Sequence, residues 1–121
     1  ILDYRIAANT LEIAGDTVVE LSKSLIKSNL SKTELKKLHN FAKDMIEIQK
    51  KSIDSFISNN RTLAINAINL QRINSENISK LRISLQNKKQ ISLILFDFIY
   101  MFEKILQSWS DITDLVKPSY K

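Results

Sequence analysis

Apolar residues recur at steps of three and four along almost the whole chain, and that rhythm breaks at only three places. Such spacing puts the apolar side chains on one face of an α-helix. The breaks fall at Asn29-Leu30, Ser58-Asn59-Asn60 and Gln86-Asn87-Lys88-Lys89. Glycine occurs once in 121 residues, as Gly15, and proline once, as Pro118. Sheets and tight turns consume both, so their scarcity points the same way as the periodicity. Four amphipathic segments of ~25 residues, joined by short turns, predict an all-α fold, an antiparallel up-down helical bundle of four helices. A chain of this length makes one domain and buries roughly two thirds of its unfolded surface.

Helix one is expected over residues 2–28, with Ala7, Leu11, Ala14, Val18, Leu21 and Leu25 as its core seam. Ser31-Lys32-Thr33-Glu34 has the form of a capping box, in which serine and glutamate each satisfy an orphan backbone N–H. Helix two then runs from Lys32 to about Ser58 on Leu35, Leu38, Ala42, Met45, Ile53 and Phe56, with Gln49 and Ser52 interrupting the seam. Asn59 or Asn60 caps helix three. That helix runs from Arg61 to Leu85 on Leu63, Ala67, Leu70, Ile73, Ile78, Leu81 and Leu85. Asn66, Asn69, Asn74 and Asn77 lower its propensity and read as surface composition or as a polar interface. Helix four is expected from Lys88 to Val116, on the seam Ile91, Leu95, Phe98, Phe102, Ile105, Trp109, Ile112 and Val116. Pro118 stops it.

The net charge is +5, and the excess lies in the middle of the chain. Between Arg61 and Lys89, six basic residues face only Glu76. This is either a solvated surface or a docking face for an acidic partner or for nucleic acid. No aromatic residue lies between Ile57 and Leu95 to stack on bases, so nucleic acid is not the expected partner of this segment. The most apolar run, Ile91 to Ile99, is broken by Asp97 and falls short of a membrane span. Cysteine is absent, which removes a disulfide framework, a thiolate metal site and a cysteine nucleophile. The first residue is Ile1 rather than methionine, which predicts a fragment of a longer chain.

Glu12 and Asp16 stand four apart in helix one and so share a face. Two carboxylates so placed suit a hard cation, and helical bundles build metal sites from such pairs; the plainer reading is solvated surface. Gly15, between them, costs about 1 kcal/mol relative to alanine in a helix and permits close approach by a neighbouring helix or by something bound between helices. On helix four, Glu103, Gln107 and Asp111 form a second polar line. Length matching of the antiparallel helices one and four sets Glu12 level with Gln107 and Asp16 level with Glu103. His39 has no partner by spacing and reads as a surface or boundary residue, and Trp109 reads as core. No constellation of nucleophile, base and electrophile is visible, so a non-enzymatic protein is expected.

Asp3 to Asp16, with Leu11, Glu12, Gly15 and Asp16 matching, resembles the end of a repeat in the PhoU family of phosphate-uptake regulators. In that family a basic residue follows the glutamate and a histidine often follows the aspartate; here those positions hold Ile13 and Thr17. Phe102 to Gln107, followed by Asp111 to Val116, is similar to a second copy of the motif, with Gln107 at an acidic position. Lys80-Leu81-Arg82 echoes a further element of the family in which an acid stands where Lys80 does. The resemblance implies a spectrin-like three-helix repeat plus one helix, with 1–30 as the last helix of a first repeat and 31–118 as a second repeat. It implies metal ligation by Glu12, Asp16, Glu103, Gln107 and Asp111, the metal being iron or another divalent cation. It further implies a cytoplasmic adaptor between a phosphate transporter and a signalling protein, homo-oligomeric because an apolar edge is left for a partner chain to cover. The alternative is a structural oligomerisation module of a larger regulatory protein, without metal.

Overall fold

The computed structural model describes residues 2–87 and 93–116. They form α1 (Leu2–Lys27), α2 (Lys32–Ile57), α3 (Arg61–Gln86) and α4 (Leu93–Thr113) in an all-α bundle. The expected start of helix four, and Pro118 beyond its end, lie outside the described residues. The local signals act as their chemistry requires. Glu34 N donates to Ser31 Oγ and Ser31 N to Glu34 Oε1, both at 3.2 Å, which closes the capping box of α2. Asn60 Oδ1 accepts from Leu63 N at 3.1 Å and caps α3. Asn59 adopts a positive φ of 47°, the left-handed conformation that asparagine tolerates, and lets the chain reverse between α2 and α3. The end of α4 tightens through bonds from Leu115 N to Ile112 O and from Val116 N to Thr113 O, at 3.1 Å each. Replacing Ser31 by alanine removes the acceptor half of the box and is expected to cost about 1 kcal/mol, read as a lower urea midpoint at unchanged slope.

α4 is the axis of the bundle. Its seam Leu95, Phe98, Phe102, Ile105, Trp109 and Ile112 is buried as expected, Ile99, Met101 and Leu106 are buried with it, and Val116 is buried just past the helix, which ends at Thr113 rather than at Val116. α2, α3 and α4 pack on one another, whereas α1 packs along α4 and its backbone stays clear of α2 and α3. α1 runs antiparallel to α4, since Ser24 and Lys27 share a crevice with Ile94 and Asp97.

That placement corrects the seam of helix one. Ala7 and Ala14 are buried together with Thr10 and Thr17, while Leu11 and Val18 are 40% and 45% exposed. A helix with one partner helix buries a narrower stripe than a helix with two. The threonines face α4 at no cost in unpaired groups, because their hydroxyls donate back to Ile6 O and Ile13 O at 2.8 Å.

The buried face of α3 is also rotated from its expected line. Ala64, Ala67, Gln71, Asn74 and Ile78 are buried, and Ile73 is exposed. A polar layer holds this face in place. Gln71 Nε2 donates to Ser52 Oγ at 3.2 Å and lies 3.5 Å from Thr113 Oγ1, so that α2, α3 and α4 meet at one amide. Ser52 therefore does not interrupt the seam of α2; it is fully buried and forms part of the core. Asn74 is buried too, whereas Asn66, Asn69 and Asn77 are on the surface.

Candidate functional site

Glu12 and Asp16 share the outward side of α1 and are both exposed. Residues of α1 turn by 100° each, so the face toward α4, made of Ala7, Thr10, Ala14 and Thr17, leaves the carboxylates pointing to solvent. Gly15 stands between them with open space where a Cβ would be. The polar line of α4 goes elsewhere. Glu103 is ion-paired with Arg82 of α3, and Gln107 Nε2 donates to Asp111 Oδ1 at 2.9 Å. Glu103 and Gln107 also line an α3–α4 crevice of about 450 Å³ together with Arg72 and Arg82. The described structure therefore keeps Glu12 and Asp16 on α1 apart from Glu103, Gln107 and Asp111, which stand on the polar side of α4. Among the described residues, no group of three or more His, Cys, Asp or Glu is placed to hold a metal ion. Glu12 and Asp16 alone are a lean donor set for a divalent cation, which prefers six or more oxygens.

The basic middle of the chain is partly neutralised from within. Arg72 pairs with Glu76 at 3.1 Å, one turn away, and Arg82 with Glu103. Lys88 and Lys89 lie outside the described residues. His39 is exposed at the lip of a crevice of about 220 Å³ lined by Leu21, Leu25, Leu35, Leu38, Phe98 and Phe102. Trp109 is in the core, and its indole N–H has no partner among the described residues. Among the described residues no helix is long and apolar enough to cross a membrane.

The surface that sequence periodicity missed is the one α1 and α2 form together. The Tyr4 ring meets Phe56 of α2 edge-on with centroids 5.4 Å apart, and helical spacing puts Leu11 and Val18 on the same stripe of α1 as Tyr4. Leu35 and Ile46 are exposed on the α2 side of the same valley. Among the described residues, eight of the eighteen exposed large hydrophobic side chains belong to α1; Tyr4, Leu11 and Val18 border the valley, whereas Ile6 and Ile13 lie on the opposite flank. An apolar expanse of this kind is a mark of an interaction surface. The available signal was the double stripe of α1, in which Tyr4, Ala8, Leu11, Gly15, Val18 and Ser22 form a second seam at alternating steps of four and three.

Compared with protein-family models, with curated proteins and with solved structures, the chain has no match.

Proposed function

We propose that the chain is a non-enzymatic interaction module of a regulatory protein, and that its working surface is the valley between α1 and α2. The observation that carries this reading is the exposure of Leu11 and Val18, at 40% and 45%, on a helix already packed against α4 by its other face. A second apolar stripe costs solubility and adds nothing to the monomer's core. A photoreactive amino acid placed at Leu11 in cells is expected to give one discrete adduct, and the same group at Asn66 on α3 is expected to give none. Equal or absent labelling from the two positions would remove the reading.

A narrower version places the module in phosphate-uptake regulation, between a phosphate transporter and a signalling protein. The resemblance of Leu11, Glu12, Gly15 and Asp16 to the PhoU motif supports it, as does the exposure of both carboxylates on one face. Its testable part is metal. Protein purified without chelator is expected to carry iron or another divalent cation by elemental analysis, and Glu12→Ala with Asp16→Ala is expected to lose it. Metal-free wild-type protein after reconstitution would end the metal part and leave the interaction reading standing.

A further inference from the structure

We infer that the occupant of the α1–α2 valley is a second copy of this chain, with each α1 lying on the α2 of the other copy and the two-fold axis parallel to the helices. This rests on the interaction reading above and names the partner; it uses Glu12 and Asp16 as ion-pair partners and so competes with the metal reading of the same two carboxylates.

The Tyr4–Phe56 contact sets α1 against α2, and the helices run antiparallel. Each step up α1 is therefore matched by a step down α2. Asp16 stands level with Asp44 and its neighbour Lys43. Glu12 stands level with Ile48, half a turn from Lys50, and Arg5 with Ser55, beside Asp54.

The charges come next. Glu12 and Asp16 form the outer rim of α1, and Lys43 and Lys50, seven apart, form the outer rim of α2. All four are exposed. Among the described residues none of them makes an ion pair within the chain, since the pairs present involve Lys51, Arg72 and Arg82. Within one chain the two rims lie on opposite sides of the valley. A rotation about an axis parallel to the helices keeps every residue at its level and exchanges left for right. It brings the acidic rim of each α1 over the basic rim of the other α2. Asp16 then meets Lys43, Glu12 meets Lys50, and Arg5 meets Asp54. Lys23 meets Lys36 near the valley's far end, and two acids of α2 lie close in level to those of α1: Asp44 beside Asp16, and Glu47, already paired with Lys51, beside Glu12. An axis across the helices does the reverse. It lays α1 on α1, with Glu12 against Asp16 and Arg5 against Lys23, like on like.

Size and backbone agree. α1 is 26 residues long, about 39 Å at its usual rise, and two helices are about 20 Å across. The face is then about 800 Å² per copy, the size of a standard stable interface. Gly15 lies on this face with nothing within 4 Å of the place its Cβ would take. In the lone chain it only weakens the helix; under a second backbone it permits close approach.

Sedimentation equilibrium over a concentration series tests the assignment. The unmodified chain is expected to dimerise. Glu12→Lys with Asp16→Lys is expected to weaken association by roughly 10- to 100-fold, and so is Lys43→Glu with Lys50→Glu. Mixing the two reversed variants is expected to restore dimers, because each α1 then finds an opposite charge on the other chain's α2. Gly15→Gln is expected to raise the melting temperature of the dilute monomer while weakening the dimer. Circular dichroism checks that all variants remain helical. A wild-type chain that stays monomeric, or a mixture that fails to restore dimers, overturns the second-copy assignment. A discrete adduct to a different protein from Leu11 also overturns it while leaving the interaction surface in place.

Discussion

Phe98→Ala is expected to cost about 3–5 kcal/mol and to lower Tm by roughly 10–20 °C. Phe98 is 1% exposed on the helix that touches all three others. It lines the crevice shared with Leu21 and Leu25 of α1 and Leu35 and Leu38 of α2. Deleting its ring opens a cavity where three helices converge, and no neighbour can collapse into it without breaking another contact. The loss is a large part of a total stability of about 5–15 kcal/mol. Leu11→Ala is the contrasting substitution. Leu11 is an apolar residue of the expected core seam, yet at 40% exposure its truncation should cost no more than about 1 kcal/mol in the dilute monomer. Thermal melts of the two variants at low concentration measure the difference. Equal losses would mean that α1 is held on two sides rather than one.

Asn74→Leu is expected to stabilise the protein by about 1–3 kcal/mol. Asn74 is 2% exposed, and among the described residues both its amide oxygen and its amide nitrogen lack a partner. It faces a crevice of about 100 Å³ bordered by Ile48, Leu70 and Ile73 on one side and by Asp44, Glu47 and Asn77 on the other, which gives a branched apolar side chain room against the first three. The substitution removes a desolvated amide and adds apolar burial at the same point. Urea unfolding should show a higher midpoint with the same slope. A lower midpoint would show that the amide is bonded to water or to a ligand in that crevice. Gln71, one turn earlier, is the opposite case. Its amide nitrogen is bonded to Ser52 and approaches Thr113, so an apolar replacement there strands groups on two other helices.

The sequence signals that worked were local ones. Ser31 and Glu34 cap α2, and Asn60 caps α3, because those contacts span three residues and need no tertiary partner. The seam of α4 was legible because a helix surrounded on three sides is apolar over half its girth. The seams of α1 and α3 were not, for two different reasons. Leu11 and Val18 carry the same periodicity as Ala7 and Ala14, and periodicity alone does not say which of two adjacent stripes meets α4. Gln71 and Asn74 are polar residues in buried positions, and a polar residue reads as buried only when its partner's register is known. Ser52 lies 19 residues from Gln71 and Thr113 lies 42. Length matching set Glu12 level with Gln107, but level says nothing of rotation, and the polar line of α4 turns toward α3 through the Glu103–Arg82 pair.

The central claim is that the α1–α2 valley is covered by protein in the working assembly. Oxidative footprinting of the protein isolated under native conditions tests it most directly. Tyr4, Leu11, Val18 and Ile46 are exposed in the single chain, as are Ile83 and Tyr100 on α3 and α4. The first four are expected to be protected in the native assembly and to become reactive on dilution, while Ile83 and Tyr100 react alike in both. Reactivity at Leu11 and Val18 equal to that of Ile83, with no change on dilution, would contradict it.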